Sequence, residues 1–245
     1  MKSFILYLGF GFYMLLSLLR IIKLKYLKIK GNKEEIDKYI NKSVLGWANF
    51  IVKGIGIKIN KKGLENIPEG SCLYVGNHQG LLDIPVVISS LDKYVGFVAK
   101  KEMLKLRILT YWMRQMKCVF IDRENIRAAI KTINEGVDNL KNGYSMLIFP
   151  EGTRSKGEKL GEFKKGSMKL GIKAGVPIVP IAIDGTYKVR EVNGGKIKAA
   201  DVDLIICPPI DPKKLSKEEQ NNLSETIKEI IQKELDNVRK KKCKD

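Results

Sequence analysis

A chain of 245 residues, 44% of them hydrophobic, is long enough to bury a sizeable core as one globular domain with an appendage, and it contains no repeats or low-complexity tracts. Its 45 Lys and Arg against 27 Asp and Glu leave a formal charge of +18, which implies an anionic partner: nucleic acid, an anionic membrane surface or a phosphorylated ligand. Cys72, Cys118, Cys207 and Cys243 lie far apart with no C-x-x-C pair, which argues against a zinc site or a disulfide framework and for a reducing compartment.

The first element is apolar. Phe4 to Leu19 reads FILYLGFGFYMLLSLL without a charge, and Arg20, Lys23, Lys25, Lys28, Lys30 and Lys33 follow with no acid among them. A secretory signal carries its charge ahead of the apolar run and a small-residue cleavage site behind it, the reverse of this order. At ~1.5 Å per residue the run covers about 24 Å, so it crosses a hydrocarbon core of ~30 Å only if Ile21 and Ile22 are drawn in and Arg20 snorkels. Spanning and partial insertion are both open. Val44 to Ile59, VLGWANFIVKGIGIKI, is a second apolar segment, broken by Lys53 and bearing Trp47, a residue favoured at membrane interfaces. It reads either as the second arm of a hairpin dipped into one leaflet or as a core-facing helix. Residues 1–60 are expected to form membrane-associated helices with a basic flank on the cytoplasmic side, where each Lys or Arg near anionic lipid adds roughly 1 kcal/mol. Residues 61–245 are expected to form the functional domain, facing the cytoplasm at the cell membrane.

From about residue 65 the pattern changes to short apolar runs. CLYVG (Cys72 to Gly76), YVGFVA (Tyr94 to Ala99), CVFI (Cys118 to Ile121), MLIF (Met146 to Phe149), IVPIAI (Ile178 to Ile183) and DLIIC (Asp203 to Cys207) read as buried strands. Between them Ile126, Ile130, Ile133, Val137 and Leu140 recur at spacings of three and four, as one face of a helix does. Alternating strands and helices predict an α/β domain with a mostly parallel central sheet flanked by helices. Ser216 and Glu219 have capping-box spacing at the head of a last helix, whose stripe is Leu223, Ile227, Ile230, Leu235 and Val238. Its basic end, Arg239 to Lys244, reads as a solvated tail that can add to membrane attraction.

In a parallel α/β sheet the loops leaving the carboxyl ends of the strands share one rim, and ligands bind there. Asn77 and His78 follow one strand, Asp122 and Arg123 another, and Glu151 to Ser155 a third. His78, the only histidine, lies in NHQGLLD, with Asp83 in or near the first turn of the following helix. A carboxylate accepting one ring N–H fixes the tautomer and leaves the other nitrogen to take a proton from a hydroxyl, as a general base does. No G-x-S-x-G elbow and no adjoining cysteine offers a nucleophile, so the hydroxyl belongs to a substrate. At this point a structural histidine, with Asp83 a helix cap, stays open. In FPEGTRS, Pro150 ends a strand, Gly152 permits close backbone approach, Thr153 follows it, and Arg154 presents the guanidinium fork suited to bidentate phosphate binding. Lys100 and Lys101 add charge to the same rim, whereas Asp122 fits a structural ion network better. LGEFKKGS shares only its glycines with a phosphate loop, Gly166 being followed by Ser167 where a Lys is needed, so nucleotide hydrolysis is discounted.

These residues resemble the glycerophospholipid acyltransferase family, most closely its bacterial 1-acyl-sn-glycerol-3-phosphate members, the lysophosphatidic acid acyltransferases. The resemblance covers roughly Leu64 to Gly185 in four blocks: NHQGLLD, VFIDR, FPEGTRS and VPIVPIAI. It implies a glycerol-3-phosphate acyltransferase-like fold, with 61–245 as the acyltransferase domain. His78 is implied as general base and Asp83 as its partner. Arg123 would contact the acceptor's phosphate, Glu151, Gly152, Thr153 and Arg154 would bind the glycerol phosphate, and Pro177 and Pro180 would shape the acyl-donor side. The implied reaction moves a fatty acyl group from acyl-CoA or acyl-carrier protein to the 2-hydroxyl of lysophosphatidic acid, giving phosphatidic acid, with no metal or organic cofactor. A backbone N–H near the H-x-x-x-x-D turn is the expected oxyanion donor. Glycerol 3-phosphate or another lysophospholipid is an alternative acceptor. A rival of another class is a non-catalytic basic protein bound to an anionic membrane; nucleic acid is set aside because no recognised binding module appears.

Overall fold

The structure, a computed structural model, describes residues 2–242 except for the side chains at positions 2, 5 and 126; Cys243, Lys244 and the Ile126 side chain lie outside the described residues. Among them seven strands form one sheet: β1 (Lys58–Lys62), β2 (Leu73–Gly76), β3 (Gly96–Lys100), β4 (Val119–Ile121), β5 (Met146–Ile148), β6 (Ile178–Asp184) and β7 (Asp201–Ile206), ordered β1-β7-β6-β2-β5-β3-β4. Every neighbouring pair is parallel except β6 and β7, giving the mostly parallel sheet the sequence predicts. All six foreseen strands form. β1 was not foreseen: KINKK has one half-buried residue, Ile59, between exposed Lys and Asn, and such an edge strand carries no apolar run to read. It takes the end of the second apolar segment, whose helix stops at the left-handed Gly56.

Eight helices flank the sheet among the described residues: α1 (Lys2–Lys30), α2 (Lys33–Ile55), α3 (Asp83–Leu91), α4 (Arg107–Gln115), α5 (Ile126–Lys141), α6 (Lys169–Ala174), α7 (Tyr187–Arg190) and α8 (Lys217–Lys242). The amphipathic α2 begins at Asn32, whose side chain accepts the Glu35 N–H, and Ile40, Val44, Ala48 and Val52 bury one face in the core shared with Tyr74, Ile181 and Leu204. The core-facing reading of this segment is the one the fold adopts.

α1 differs. Phe4, Leu8, Phe12, Leu15, Leu19, Ile22, Tyr26 and Ile29 are all exposed and recur at spacings of three and four, so they form one apolar stripe along the helix. Leu24 and Leu27 are buried behind it, and Tyr13 stacks on Phe50 of α2 at 4.7 Å. Leu6–Lys30 is long and apolar enough to cross a membrane by length and composition. The helix runs unbroken through Arg20, whose guanidinium donates to the Tyr13 hydroxyl.

α8 opens with the foreseen capping box: Ser216 N–H donates to Glu219 at 2.7 Å and Glu219 N–H to Ser216 Oγ at 3.2 Å. Leu223, Ile227, Ile231, Leu235 and Val238 are buried; Ile231 takes the place expected for Ile230, which is only half-buried. The end of α8 corrects the reading of a solvated tail. Arg239 and Lys242 both reach the buried Asp184 at the end of β6, at 2.9 and 3.3 Å, and Lys242 also reaches Asp203 at 2.5 Å. Burial alone would raise the Asp184 carboxyl, yet the two cations hold it below its ordinary value. Arg239 and Lys242 therefore latch the end of α8 onto the sheet end that carries the site, while Lys240 and Lys241 stay exposed.

Candidate active site

The turn after β2 is held from three sides. Asn77, buried, bonds the backbone of Ile183 twice, donating to its carbonyl at 2.9 Å and accepting its N–H at 2.8 Å. Gln79 accepts the N–H of Gly185 at 2.9 Å. Gly185 has φ of +106°, and a Cβ there would stand 2.5 Å from the Asp201 carbonyl, so only glycine fits. Between these two anchors, His78 donates its own N–H to Glu151 at 2.7 Å and accepts from the Ser155 N–H at 2.8 Å. Segments more than seventy residues apart in sequence are thus bonded at the histidine itself.

The His78 ring is equally constrained. Its Nδ1 lies 2.6 Å from Asp83 Oδ2, and its face stacks on Phe149 at 4.1 Å between centroids. Asp83 is fully buried and also accepts the Gly80 N–H at 3.0 Å and the Thr186 hydroxyl. It is the first residue of α3, while the cap position belongs to Leu82, which makes no side-chain cap bond. With Asp83 as carboxylate, Nδ1 carries the proton and Nε2 keeps its lone pair. The His78 side chain remains 20% exposed, enough for a substrate hydroxyl to approach Nε2.

Glu151 sits where its role as a direct phosphate ligand is hard to sustain. It is buried, and its oxygens accept the N–H groups of His78 and Gly161, so it has no donor to offer an anion. Burial pushes its carboxyl up from the ordinary range, against the pull of those two N–H groups. Its geometry is that of a brace between the His78 turn and the following loop. Gly152 adopts φ of +72°, and a Cβ there would meet Lys164 Nζ at 3.2 Å and Arg123 Nη1 at 3.4 Å. Two cations therefore converge on this turn. Arg123 donates to the Gly152 carbonyl, and the Lys164 N–H donates to the Pro150 carbonyl at 3.1 Å.

Thr153 is exposed beside them, and Arg154, half-buried, rests its Nη1 3.4 Å from Glu191. Lys100 lies exposed at the end of β3, opposite Ile121, whereas Lys101, expected to add charge to the rim, pairs with Asp122 at 2.9 Å, which gives that aspartate a structural role. Pro180 lies inside the sheet, opposite Val75 and below the rim; its carbonyl accepts the Cys207 N–H, and its missing N–H ends the ladder with β7. The backbone N–H groups of Gly80 and Leu81 are bound by Asp83 and Glu191, so neither is free as an oxyanion donor. Among the described residues no group of three or more His, Cys, Asp or Glu side chains is placed to hold a metal ion.

Sequence reasoning put Asn77 on the rim without a role, and missed Gln79, Phe149, Thr186 and Glu191 as site residues and Lys164 as the second cation at Gly152. Asn77 and Gln79 alternate around His78, a period-two signal legible in principle. The others act across distances that spacing alone does not reveal.

An imidazole held by a buried carboxylate, with cations on loops of the same α/β sheet, is an arrangement that can take a proton from a hydroxyl of an anionic molecule. An Acyltransferase family model matches residues 58–184. The chain is 36% identical over 187 residues to the chloroplastic 1-acyl-sn-glycerol-3-phosphate acyltransferase of Arabidopsis thaliana, covering 74% of this chain and 52% of the plant protein. It is 32% identical over 185 residues to the 1-acyl-sn-glycerol-3-phosphate acyltransferase of Borreliella burgdorferi, covering 75% and 74%. The crystal structure of the 1-acyl-sn-glycerophosphate acyltransferase of Thermotoga maritima aligns with a TM-score of 0.79 at 28% identity over 98% of both chains. The chain spans about half the length of the chloroplast relatives it matches. It belongs to the acyltransferase family.

Proposed function

We propose that this chain is a 1-acyl-sn-glycerol-3-phosphate acyltransferase, transferring a fatty acyl group from acyl-CoA or acyl-carrier protein to the 2-hydroxyl of lysophosphatidic acid. The observation that carries the reading is the His78–Asp83 pair, partly exposed, with Arg123 and Arg154 on loops that follow neighbouring strand ends. The names of the relatives support the choice of acceptor.

His78 Nε2 takes the proton of the 2-hydroxyl as that oxygen attacks the thioester carbonyl, and the carbonyl becomes a tetrahedral oxyanion. Asp83 stabilises the imidazolium that forms. Collapse breaks the C–S bond, the thiolate takes the proton back from Nε2, and phosphatidic acid and free thiol leave. Arg123 and Arg154 hold the acceptor's phosphate, with Lys100 and Thr153 on the same rim, and Glu151 keeps the catalytic turn against the Gly152 turn. Pro180 underlies the acyl-donor side. The exposed stripe of α1 enters the bilayer, with the basic flank from Arg20 to Lys33 on its cytoplasmic side, so an anionic lipid acceptor and product stay at the membrane surface.

Arg154→Ala tests the phosphate role. The KM for lysophosphatidic acid rises by about tenfold, while the KM for the acyl donor changes little. An equal rise for both substrates would contradict it.

A further inference from the structure

We infer that Glu191 is a positioning residue for the reaction, joining the catalytic turn to Arg154; the inference rests on Arg154 being a ligand of the acceptor's phosphate. Glu191 follows α7 and lies beyond the segment matched by the family model. Its side chain is only 3% exposed, and its Oε1 accepts the Leu81 N–H at 2.8 Å while standing 3.4 Å from Arg154 Nη1. One carboxylate oxygen thus touches a residue two places before Asp83 and the guanidinium of the FPEGTRS block.

Glu191 Oε2 is buried without a hydrogen-bond partner, an expensive state for a carboxylate. A merely structural cap on Leu81 would need no charge, because an amide oxygen accepts an N–H equally well. The charge is matched instead to Arg154. The contact is long and uses a single guanidinium nitrogen, so the remaining N–H donors of Arg154 stay available to a phosphate. Glu191 therefore aims the arginine without consuming it.

Local architecture is built around this carboxylate. A Cβ on Gly80 would stand 3.0 Å from Glu191 Oε2, so the glycine of the NHQG turn makes room for it. The loop that carries Glu191 is tied to the start of α1, with Arg190 Nε donating to the Tyr7 hydroxyl at 3.4 Å and the Ile197 N–H to Ser3 Oγ at 3.0 Å.

The test is a double-mutant cycle with lysophosphatidic acid and acyl-CoA or acyl-carrier protein, measured on Glu191→Gln and Glu191→Ala, each alone and combined with Arg154→Ala. Glu191→Gln keeps an acceptor for Leu81 and removes the charge. It raises the acceptor's KM by about fivefold, with a smaller change in kcat and none in the donor's KM. Glu191→Ala also frees the Leu81 N–H and lowers kcat by about tenfold. In the Arg154→Ala background, Glu191→Gln adds nothing further to the acceptor's KM. An unchanged acceptor KM in Glu191→Gln, equal shifts for both substrates, or an additive effect in the Arg154→Ala background would each overturn the inference. Wild-type turnover of lysophosphatidic acid is measured first: its absence overturns the functional reading itself, whereas its presence with an inert Glu191→Gln overturns the role of Glu191 alone.

Discussion

Replacing His78 by Ala lowers kcat for acyl transfer by ~10²- to 10⁴-fold, the range for loss of a general base, and leaves the fold in place. The ring is one-fifth exposed, and its removal costs the stacking on Phe149 and the bond to Asp83. No second imidazole exists in the chain to replace it. The measurement is a steady-state assay beside a melting curve and a vesicle-binding assay. A basic membrane-binding protein without catalysis predicts that nothing measurable changes except packing. Turnover retained in His78→Ala with an intact fold would remove the base from the mechanism.

Asp83→Asn gives the second large effect, expected within the same ~10²- to 10⁴-fold range in kcat. Asp83 accepts three hydrogen bonds, from His78, Gly80 and Thr186, and is wholly buried. An amide keeps one oxygen and turns the other acceptor into a donor. If the new NH₂ faces Nδ1, the imidazole must shift its proton to Nε2, where it can no longer accept the substrate's. In that orientation the NH₂ also confronts the Gly80 N–H, which shares Oδ2 with the imidazole; in the other it faces the Thr186 hydroxyl, which can turn to accept it, and the loss is the carboxylate charge that steadies the imidazolium. A helix cap alone would cost about 1 kcal/mol of stability and leave kcat alone. A kcat within a few-fold of wild type, with a lowered melting temperature, would therefore return Asp83 to a structural role.

Much of the fold was legible because its strands are apolar runs. CLYVG, MLIF and IVPIAI are almost wholly buried and surrounded by periodic helices, so length and apolarity identify them together. β1 was hidden because an edge strand with alternating lysines resembles a solvated linker. α2 was ambiguous for a different reason: Trp47 and an apolar face suit a membrane and a protein core equally well, and only its packing against α3, in the core shared with the sheet, decides between them. α1 differs in that its apolar stripe lies exposed among the described residues.

The site was partly legible. His78 and Asp83 lie five residues apart across a strand-to-helix turn, so the sequence places them within reach of each other. Arg123 and Arg154 follow strand ends and are brought to one rim by the sheet. Glu151 shows the limit of that reasoning: a loop sequence names a carboxylate without saying which way it faces, and here it turns inward to two backbone N–H groups. Thr186 and Glu191 act from over a hundred residues away, on a segment with no recognisable motif. Arg239 and Lys242 seemed part of a solvated run until the register of α8 brought them to Asp184.

The most direct test of the central claim is an assay of the purified full-length protein in lipid vesicles, offering lysophosphatidic acid, glycerol 3-phosphate and a neutral-headgroup lysophospholipid with acyl-CoA and with acyl-carrier protein. Phosphatidic acid should form from lysophosphatidic acid with at least one donor, at a kcat/KM well above that for the other acceptors. Acylation of another acceptor in preference would contradict the proposed substrate, and no acylated product from any pair would contradict the proposed reaction.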